Sequence, residues 1–563
     1  VGADGSTWLH NADTVIARYR AGAIRYEVRD KLLGPGTLTI DVAPAADAEG
    51  ALVRVVGSAD AANVDLLWAF GGASGFNNNK WDFDTAKYCP ESAALFQPKD
   101  CAENEFKITE SGFELRAPCY RLQTEIRADT PGSLTSFDIV TVAKAMRPVI
   151  GLVPPGSEMK VANAEAMDSP AALWKSQAEK LPILTGRCAV EGGKPMLFAL
   201  ERPAEGGKPL TQADLPAAIE AAEAHRVNVA GQVRVTTPDP YLNAAVPAIC
   251  TAADALWNPP VYMHGAVAWR MPLLGWRGAY VASEFGWHDR AQAHFREYAR
   301  YQFQEPTDGK PHAGPKYNLA RQALDSVLYS RGHIPNAPVK GEKGQCDMQQ
   351  VYVDQLLWHL QWTGDMAFAR EMWPVLVEHF AWEKRCLDPD DDGLYENYAN
   401  TMISDAHHYN GGPCAQSSAY NYRSLRLATR LAKLLGEDPE PFQREADKTL
   451  AAMNRELWMP ELGWYAEYRD LLGLKQVHPS AELPSIYHPM DSDVPDPFQA
   501  RQMLRYVDTA IEHIPVEGES AVVWTSNWVP YIWSVRNVIP SETAHTALAY
   551  WQAGARKAAW NLF

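Results

Sequence analysis

The sequence lacks an apolar run long enough to cross a bilayer. Its most apolar stretch, Val140–Val153, is interrupted by Lys144 and Arg147, whereas a spanning helix needs about 18 consecutive apolar residues. Positive charge is also in deficit, because 52 Lys and Arg stand against 69 Asp and Glu, for a formal net charge of -17. Such a chain repels phosphate backbones and anionic lipid. We therefore expect neither nucleic acid nor a membrane as a partner.

Several signatures of catalysis and metal binding are missing as well. There is no phosphate-binding loop, no Gly-rich dinucleotide motif after a strand and no Gly-x-Ser-x-Gly elbow, which argues against nucleotide-dependent enzymes and serine hydrolases. No His-Glu-x-x-His is present, and the adjacent His407 and His408 suit a shared metal less well than a pair four residues apart. We expect no metal ion and no cofactor.

The segment Asp388–Gly393 imitates the start of a calcium-binding loop. Its twelfth position is Ala399, where such a loop requires a bidentate Glu. We therefore interpret the segment as an acidic turn.

Cysteine is sparse and shows no pairing pattern. Eight cysteines are scattered over the chain without a Cys-x-x-Cys pair, which argues against a zinc ribbon and against a disulfide-dense scaffold. Cys89 and Cys101 could bridge a loop, and most of the others are expected to be buried thiols.

Length and residue pattern divide the chain into two parts. A length of 563 residues exceeds what one hydrophobic core supports. The first part carries short β-rich runs separated by Gly, Pro, Asn and Asp clusters, a pattern typical of an antiparallel sandwich. These runs are Thr37–Val42, Leu52–Val56, Val64–Trp68, Phe113–Arg116, Phe137–Val142 and Val227–Val235. Helical stretches near 164–181 and 212–225 interrupt them. We predict a β-sandwich domain over residues 1–235 with short helical insertions.

After Pro240 the hydrophobic period changes to 3.6 residues, which predicts helices over residues 236–563. A repeat is visible there: the tight turn Trp362–Asp365 and the later Gly393–Glu396 recur about 70 residues further on as Leu435–Asp438 and Gly463–Glu467. Repeated helical hairpins of this kind are typical of a toroid or solenoid.

The predicted connections alternate in length. Short turns fall near positions 285, 364, 436 and 554, and the long connections are 257–271, 304–346, 388–414, 458–496 and 514–539. In an up-and-down helical array every second connection emerges at the same rim, so the long connections should share one rim and carry the functional site. They are also rich in Trp and His, which offer flat apolar faces for sugar rings and hydrogen bonds for hydroxyls.

The order of four motifs resembles a known superfamily. Trp269–Gly278, Trp362–Asp365, Asp390–Glu396 and Trp524–Trp528, placed after a sandwich, resemble the bacterial six-hairpin glycosidases, which include α-L-rhamnosidases, glucoamylases, trehalases and disaccharide phosphorylases. The resemblance implies an (α/α)6 barrel over 236–563, glycosidase activity on a carbohydrate substrate, and a periplasmic or extracellular location. The sequence, which starts at Val1, shows no signal peptide.

One stretch departs from the rhamnosidase pattern. Met271, Pro272 and Ala279 stand where the distantly similar α-L-rhamnosidases have carboxylates. The mechanism of those enzymes is therefore not transferred at this loop, and the sugar stays open.

Hydrolysis of a glycosidic bond requires one carboxylic acid to protonate the leaving oxygen and a second carboxylate to act on water or on the sugar. Asp405, in the third long connection, resembles the general acid of related barrels. Glu519, rather than the nearby Glu517, is our first candidate for the base. Asp347 is the strongest substitute for either role, followed by Glu396, Glu467 and Glu482.

Substrate contacts are expected from the same connections. The candidates are His264, Trp269, Arg270, Trp276, Arg277, Glu396, His407, Tyr409, Asn410, Glu517, Trp524 and Asn527. Arg270 and Arg277 could instead hold a carboxylate, which would imply a uronic acid substrate.

The sequence thus favours an exo-acting, inverting glycoside hydrolase. A disaccharide phosphorylase, a polysaccharide lyase and a non-catalytic carbohydrate-binding protein remain alternatives. The oligomeric state is not predicted.

Overall fold

The structure is a computed structural model, and it forms two compact units, Val1–Ala255 with Gly265–Arg270 and Leu256–His264 with Met271–Phe563. It describes residues 1–563 apart from 3–4, 62–63, 72–95, 127–136, 179, 205, 266–270, 307–326, 342–345, 397–411, 472 and 529–534. Cys89 therefore lies outside the described residues, and so does the bridge considered for it.

The first unit is built on two antiparallel sheets. Its strands are β1 Thr14–Tyr19, β2 Ile24–Arg29, β3 Leu38–Pro44, β4 Glu49–Gly57, β5 Asp65–Phe70, β6 Glu105–Ile108, β7 Gly112–Ile126, β8 Phe137–Leu152, β9 Glu158–Asn163, β10 Pro182–Ala189 and β11 Pro195–Arg202. Eight strands form one sheet in the order β1-β2-β3-β4-β11-β8-β7-β6, and three form the other in the order β5-β10-β9. The longest pairing runs from Gly112 opposite Leu152 to Ile126 opposite Phe137.

Aromatic side chains pack the two sheets together. The ring of Trp68 on β5 lies 6.1 Å, centroid to centroid, from both Phe113 on β7 and Phe198 on β11. Leu115 and Leu184, from opposite sheets, are buried beside them. Burial of alternating apolar residues between two sheets is what holds a sandwich together, so the predicted sandwich is present.

One predicted strand is wrong. The run Val227–Val235 predicts extended chain, but the helix Leu215–Ala230 continues through its first four residues and ends at Gly231. The valines at 227 and 229 fit either period, and the Ala-rich residues that precede them favour helix. Short apolar runs without a preceding turn signal are ambiguous in this way.

Helices dominate the second unit. The α-helices of the described residues are α1 Pro170–Lys175, α2 Leu215–Ala230, α3 Pro240–Leu256, α4 Gly278–Glu284, α5 His288–Ala299, α6 Cys346–Thr363, α7 Met366–Leu387, α8 Ala415–Leu435, α9 Glu440–Ala452, α10 Pro484–Asp491, α11 Pro497–Ala510, α12 Pro540–Gln552 and α13 Arg556–Leu562. Short strands lie between them: β12 Trp257–Asn258, β13 Val261–Tyr262, β14 Trp458–Met459, β15 Trp464–Tyr465, β16 Tyr468–Arg469, β17 Val477–His478, β18 His513–Pro515 and β19 Ala521–Val523.

Local sequence sets where these helices begin and end. The carboxylate of Asp365 accepts the N–H groups of Ala367 and Phe368 and so caps α7. Asp496 caps α11 in the same way. Gly436, at a positive φ of 81°, ends α8, because glycine adopts the left-handed conformation without a Cβ penalty.

The connections follow the predicted alternation with one exception. Helices α4, α6, α8, α10 and α12 each follow a long connection and precede a short turn, so their first turns gather at one rim. We call these five the inner helices. The exception is α10, which lies inside the connection predicted over 458–496. This eight-residue helix contains Pro484 and Pro489. Proline lacks the N–H that an interior helix position donates, so the sequence pattern does not indicate a helix here.

The inner helices pack side by side. The amide of Ala279 on α4 donates to Gln355 on α6 (3.1 Å), and Gln350 on α6 donates to the carbonyl of Ser417 on α8 (3.1 Å). The ring of Tyr420 on α8 lies 4.3 Å from that of His488 on α10. Within the described residues, no helix is long and apolar enough to cross a membrane.

The internal repeat is also visible in the backbone. Gly393 and Gly463 both have a φ of 91°. A Cβ on Gly393 would approach Lys448 of α9 within 2.9 Å, and one on Gly463 would approach Gln502 of α11 within 3.0 Å. Each glycine therefore lets its turn pack closely on the second helix that follows it in the sequence.

Three buried histidines make the stability of the helical unit depend on pH. Burial lowers the pKa of His294 to about 4, of His333 to about 3 and of His359 to about 4. These rings stay neutral in the folded chain, whereas in the unfolded chain they are protonated below pH 6.5. Their contribution to the free energy of unfolding is therefore complete above pH 6.5. It is lost as the pH falls from there toward 4, and each histidine has lost about 2 kcal/mol at pH 5.

Urea unfolding at pH 7 and pH 5 measures this loss. His294→Gln should reduce the difference between the two pH values, while His10→Gln, at an exposed position, should not. An equal pH dependence in the His294 variant and the parent would contradict the assignment.

Candidate active site

The first turns of the inner helices bring buried polar side chains to one rim. Asp347 lies in the first turn of α6 with no exposed surface, and Gln416 and Ser417 begin α8. Ser485 and His488 lie on α10, also fully buried. Buried polar groups are rare unless they have a structural or chemical use. Their recurrence at the starts of three neighbouring helices marks this rim as the candidate site.

Two buried glutamates lie in the connection that leads into α10. The backbone N–H of Glu482 donates to Oε2 of Glu467 at 2.8 Å, and neither side chain is exposed. The carbonyl of Glu467 accepts the N–H of Ala415, the first residue of α8 (3.1 Å). Burial raises the pKa of the Tyr506 phenol, and the charges of Glu467 and Glu482 add to that rise. The two carboxylates therefore occupy one neighbourhood at the start of α8 and α10.

Position gives these carboxylates different environments. Glu482 stands directly before Leu483, the N-cap of α10, where the positive end of the helix dipole stabilises a negative charge. Glu467 instead uses one carboxylate oxygen to hold the backbone of Glu482. The carboxylate of Glu467 therefore positions the backbone from which the Glu482 side chain extends.

Further polar atoms around this pair have no hydrogen-bond partner among the described residues. They are Oε1 of Gln350, Oγ of Ser417, Oγ of Ser485 and both ring nitrogens of His488. Burial, with His545 and Arg277 adding to it, holds the pKa of His488 well below its usual value, so the ring is neutral and offers one donor and one acceptor. Such a set of donors and acceptors suits a ligand rich in hydroxyl groups.

Arg277 is bound to protein groups. It is the N-cap residue of α4, with a positive φ of 39°, and its guanidinium lies 3.2 Å from Oε1 of Glu542 and 3.3 Å from the hydroxyl of Tyr487. The Tyr487 hydroxyl also donates to Glu542. Burial alone would lower the pKa of Arg277, but Glu542 and Tyr487 raise it. Arg277 therefore joins α4 to α10 and α12, and its role as a sugar ligand stays a prediction.

Four other predicted contacts lie among the described residues. The ring of His264 lies 4.5 Å from that of Trp276, so the two form one aromatic surface beside α4. Trp524 carries the guanidinium of Arg536 over its ring at 4.7 Å. Asn527 is exposed.

The structure places the predicted base elsewhere. Glu519 and Glu517 lie in the exposed turn between β18 and β19. The carboxylate of Glu519, 68% exposed, pairs with Lys557 of α13 at 2.9 Å, and that pair lowers its pKa. An exposed, ion-paired carboxylate lacks the desolvated setting that tunes catalytic groups. The structure does not bring either glutamate into the buried cluster.

Glu396, which ends the first copy of the repeat as Glu467 ends the second, is buried. Its backbone N–H donates to the carbonyl of Leu387 (2.6 Å), and it forms an isolated β-bridge with Pro413 just before α8. The remaining predicted site residues lie outside the described residues: Trp269, Arg270, Asp405, His407, Tyr409 and Asn410.

The acidic turn after α7 carries its own cations. The ammonium of Lys384 lies 2.6 Å from Asp388, 2.5 Å from Asp391 and 2.8 Å from Glu445, and Lys448 reaches Asp391 at 2.6 Å. Burial raises the pKa of Asp388 to about 6, although Lys384 opposes that rise. The ammonium group occupies the position that a cation would take, which fits the interpretation of an acidic turn.

Sequence reasoning did not single out Gln350, Ser417 or Ser485. It used His488 only as part of the Trp and His content of the long connections. Gln350 follows Asp347 by three residues, and His488 follows Ser485 by three. Such spacings place both members on one helix face. A search for polar pairs at this spacing in helix first turns could have found them.

Comparison with known proteins addresses the fold. A family model described as a domain of unknown function (DUF4450) matches residues 1–223, and no curated protein matches the chain. A bacterial glucoamylase in complex with acarbose is similar over 96% of this chain and 78% of its own, with a TM-score of 0.56 at 10% identity.

Two further solved structures are similar at lower TM-scores. A rhamnosidase from Klebsiella oxytoca with rhamnose bound gives 0.43 at 15% identity, over 97% of this chain and 83% of its own. The mannosylglycerate hydrolase from Thermus thermophilus in complex with Tris gives 0.41 at 15% identity, over 55% of this chain and 89% of its own. The glucoamylase likeness shows the fold of this chain, so the predicted antiparallel β-sandwich followed by an (α/α)6 helical barrel is confirmed.

Proposed function

We propose that the chain is an exo-acting, inverting glycoside hydrolase that removes a terminal sugar from a carbohydrate. The observation that carries the proposal is the buried Glu467–Glu482 pair at the starts of α8 and α10, surrounded by polar groups that suit hydroxyls. The six-hairpin fold, shared with a glucoamylase bound to acarbose, supports the same chemistry. A periplasmic or extracellular location belongs to this proposal.

Glu482 is the proposed base. Its carboxylate would remove a proton from the attacking water, and Glu467 would hold its backbone in place through the 2.8 Å hydrogen bond. We assign this role to Glu482 rather than to Glu519, because Glu519 pairs with Lys557 on an exposed turn and is separate from the buried cluster.

Asp405 remains the proposed general acid, on the resemblance of its connection to that of related barrels. It would deliver a proton to the glycosidic oxygen as the bond to the departing group breaks. In an inverting enzyme the two carboxyl groups stand about 6.5 to 9.5 Å apart, which leaves room for the water. Asp347, at the start of α6, is the proposed alternative for the acid.

A screen of p-nitrophenyl glycosides and plant or microbial oligosaccharides tests the activity. We expect one terminal sugar to be released, and NMR of the first product should show the anomer opposite to that of the substrate. Retention of configuration would overturn inversion. Turnover that requires phosphate would indicate a phosphorylase, and an unsaturated product that absorbs ultraviolet light would indicate a lyase. Binding without turnover across the panel would reject the enzyme assignment.

A further inference from the structure

A second pocket lies far from the candidate active site along the inner helices. It has a volume of about 140 Å³ and is lined by Trp358 of α6, by arginines of α8, by Asp491 at the end of α10 and by Ser492 and Asp493, which follow it. Arg430 stands fourteen residues after Gln416, or about 21 Å along the helix axis at 1.5 Å per residue. We call this the arginine pocket. It is separate from the rim where the helices begin.

Three guanidinium groups converge on the arginine pocket. Arg423, Arg426 and Arg430 are spaced by three and four residues, so they share one face of α8. The three arginines line this pocket beside Asp491 and Asp493, although the chain as a whole carries a net charge of -17. Arginine presents its donors in a fixed fork that matches phosphate and carboxylate oxygens.

The three arginines differ in the ion pairs that they form within the protein. Arg423 pairs with Asp354 at 2.7 Å and with Asp491 at 3.3 Å. We therefore regard it as a structural residue. Arg426 pairs at 3.2 Å with Asp493, whose side chain is 79% exposed. Ion pairs with so exposed a partner contribute little to stability. Arg430 is exposed and makes no ion pair in the part of the chain that the structure describes. Two of the three therefore remain open to a ligand.

Two further groups extend the arginine pocket beyond a simple charge cluster. Trp358 supplies an indole face, with the guanidinium of Arg423 at 5.9 Å from its ring. Ser492, 1% exposed, lines the pocket, and its hydroxyl has no hydrogen-bond partner among the described residues. An aromatic face is the surface on which a sugar ring stacks, and a buried hydroxyl without a partner is costly unless a ligand or another group satisfies it.

We propose that the arginine pocket binds a small sugar phosphate: Arg426 and Arg430 take the phosphate oxygens and Trp358 takes the ring. The proposal does not depend on the glycosidase assignment, because it involves other residues at the opposite end of the inner helices. Asp493 then competes with the phosphate for Arg426, because its carboxylate pairs with that guanidinium when the ligand is absent. Loss of that carboxylate should tighten binding, which a purely structural arginine cluster would not predict.

Calorimetric titration of the full chain with glucose 6-phosphate, inorganic phosphate and glucose tests the proposal. Glucose 6-phosphate should bind saturably and more tightly than either of the others. Arg426→Ala/Arg430→Ala should weaken it by about tenfold or more, because charge-assisted hydrogen bonds are lost. Asp493→Asn should strengthen it. Arg444→Ala, an exposed arginine on α9, is the matched control and should bind as the parent does.

Three results would overturn the proposal. No saturable binding of glucose 6-phosphate would remove the site. Equal binding by the parent and Arg426→Ala/Arg430→Ala would place the ligand elsewhere, including in the candidate active site. Equal affinity for inorganic phosphate and glucose 6-phosphate would leave Trp358 without a role and reject the sugar component.

Discussion

Turnover is expected to fall by about 10² to 10⁴ in Glu482→Gln and in Asp405→Asn, since general acid and base groups contribute about that much to rate. Each change removes a titrating carboxyl group while preserving its shape. In Glu482→Gln, the hydrogen bond from the backbone N–H of Glu482 to Glu467 does not involve the altered group and should persist. The comparison is made in kcat, with the thermal midpoint recorded to show that the fold is intact.

Glu519→Gln is the matched control. It is the same chemical change, but at a side chain 68% exposed that pairs with Lys557, and exposed ion pairs contribute little to stability. Its kcat should stay within about twofold of the parent, as expected for a surface change away from the site. If Glu519→Gln lost activity and Glu482→Gln kept it, the base would return to the turn between β18 and β19. Normal activity in Asp405→Asn would move the acid to Asp347.

Much of the architecture could be predicted because it depends on local pattern. Alternating short runs indicate the sandwich, and the change to a 3.6-residue period after Pro240 indicates the helices. Gly364 and Gly436 indicate turns that do lie between α6 and α7 and between α8 and α9. Such signals depend on residues that are close together in the sequence, so the sequence alone is enough to predict these elements.

The contents of the site are harder to predict, because burial depends on contacts between distant residues. Glu519 is favoured by its nearness in sequence to Trp524, yet β18 and β19 turn it outward to Lys557. Glu467 carries a better signal, since it ends a motif that also recurs at Glu396, and the structure buries both. Nothing local in the sequence shows that a helix forms across Pro484 and Pro489, and it is this helix, α10, that places Glu482 at the rim.

Arg277→Met is expected to destabilise the helical unit by about 3 to 5 kcal/mol, the typical cost of removing one partner from a buried ion pair. The side chain of Glu542 is 9% exposed, and without Arg277 it would keep, among the described residues, only the hydrogen bond from Tyr487. A negative charge in that setting is poorly solvated. The loss would appear in urea unfolding near pH 7.

The double variant Arg277→Met/Glu542→Gln separates a structural from a substrate-binding role. It removes both charges, and neutral replacement of a buried pair is often tolerated, so most of the lost stability should return while Tyr487 still finds an acceptor on the amide. If Arg277 only joins α4 to α10 and α12, KM for the substrate found in the screen should return with stability. A recovered fold with a persistently raised KM would show instead that the side chain of Arg277, a quarter exposed, also contacts the sugar. An unchanged unfolding curve in Arg277→Met would refute the structural role, because a buried Glu542 could not lose its partner without cost.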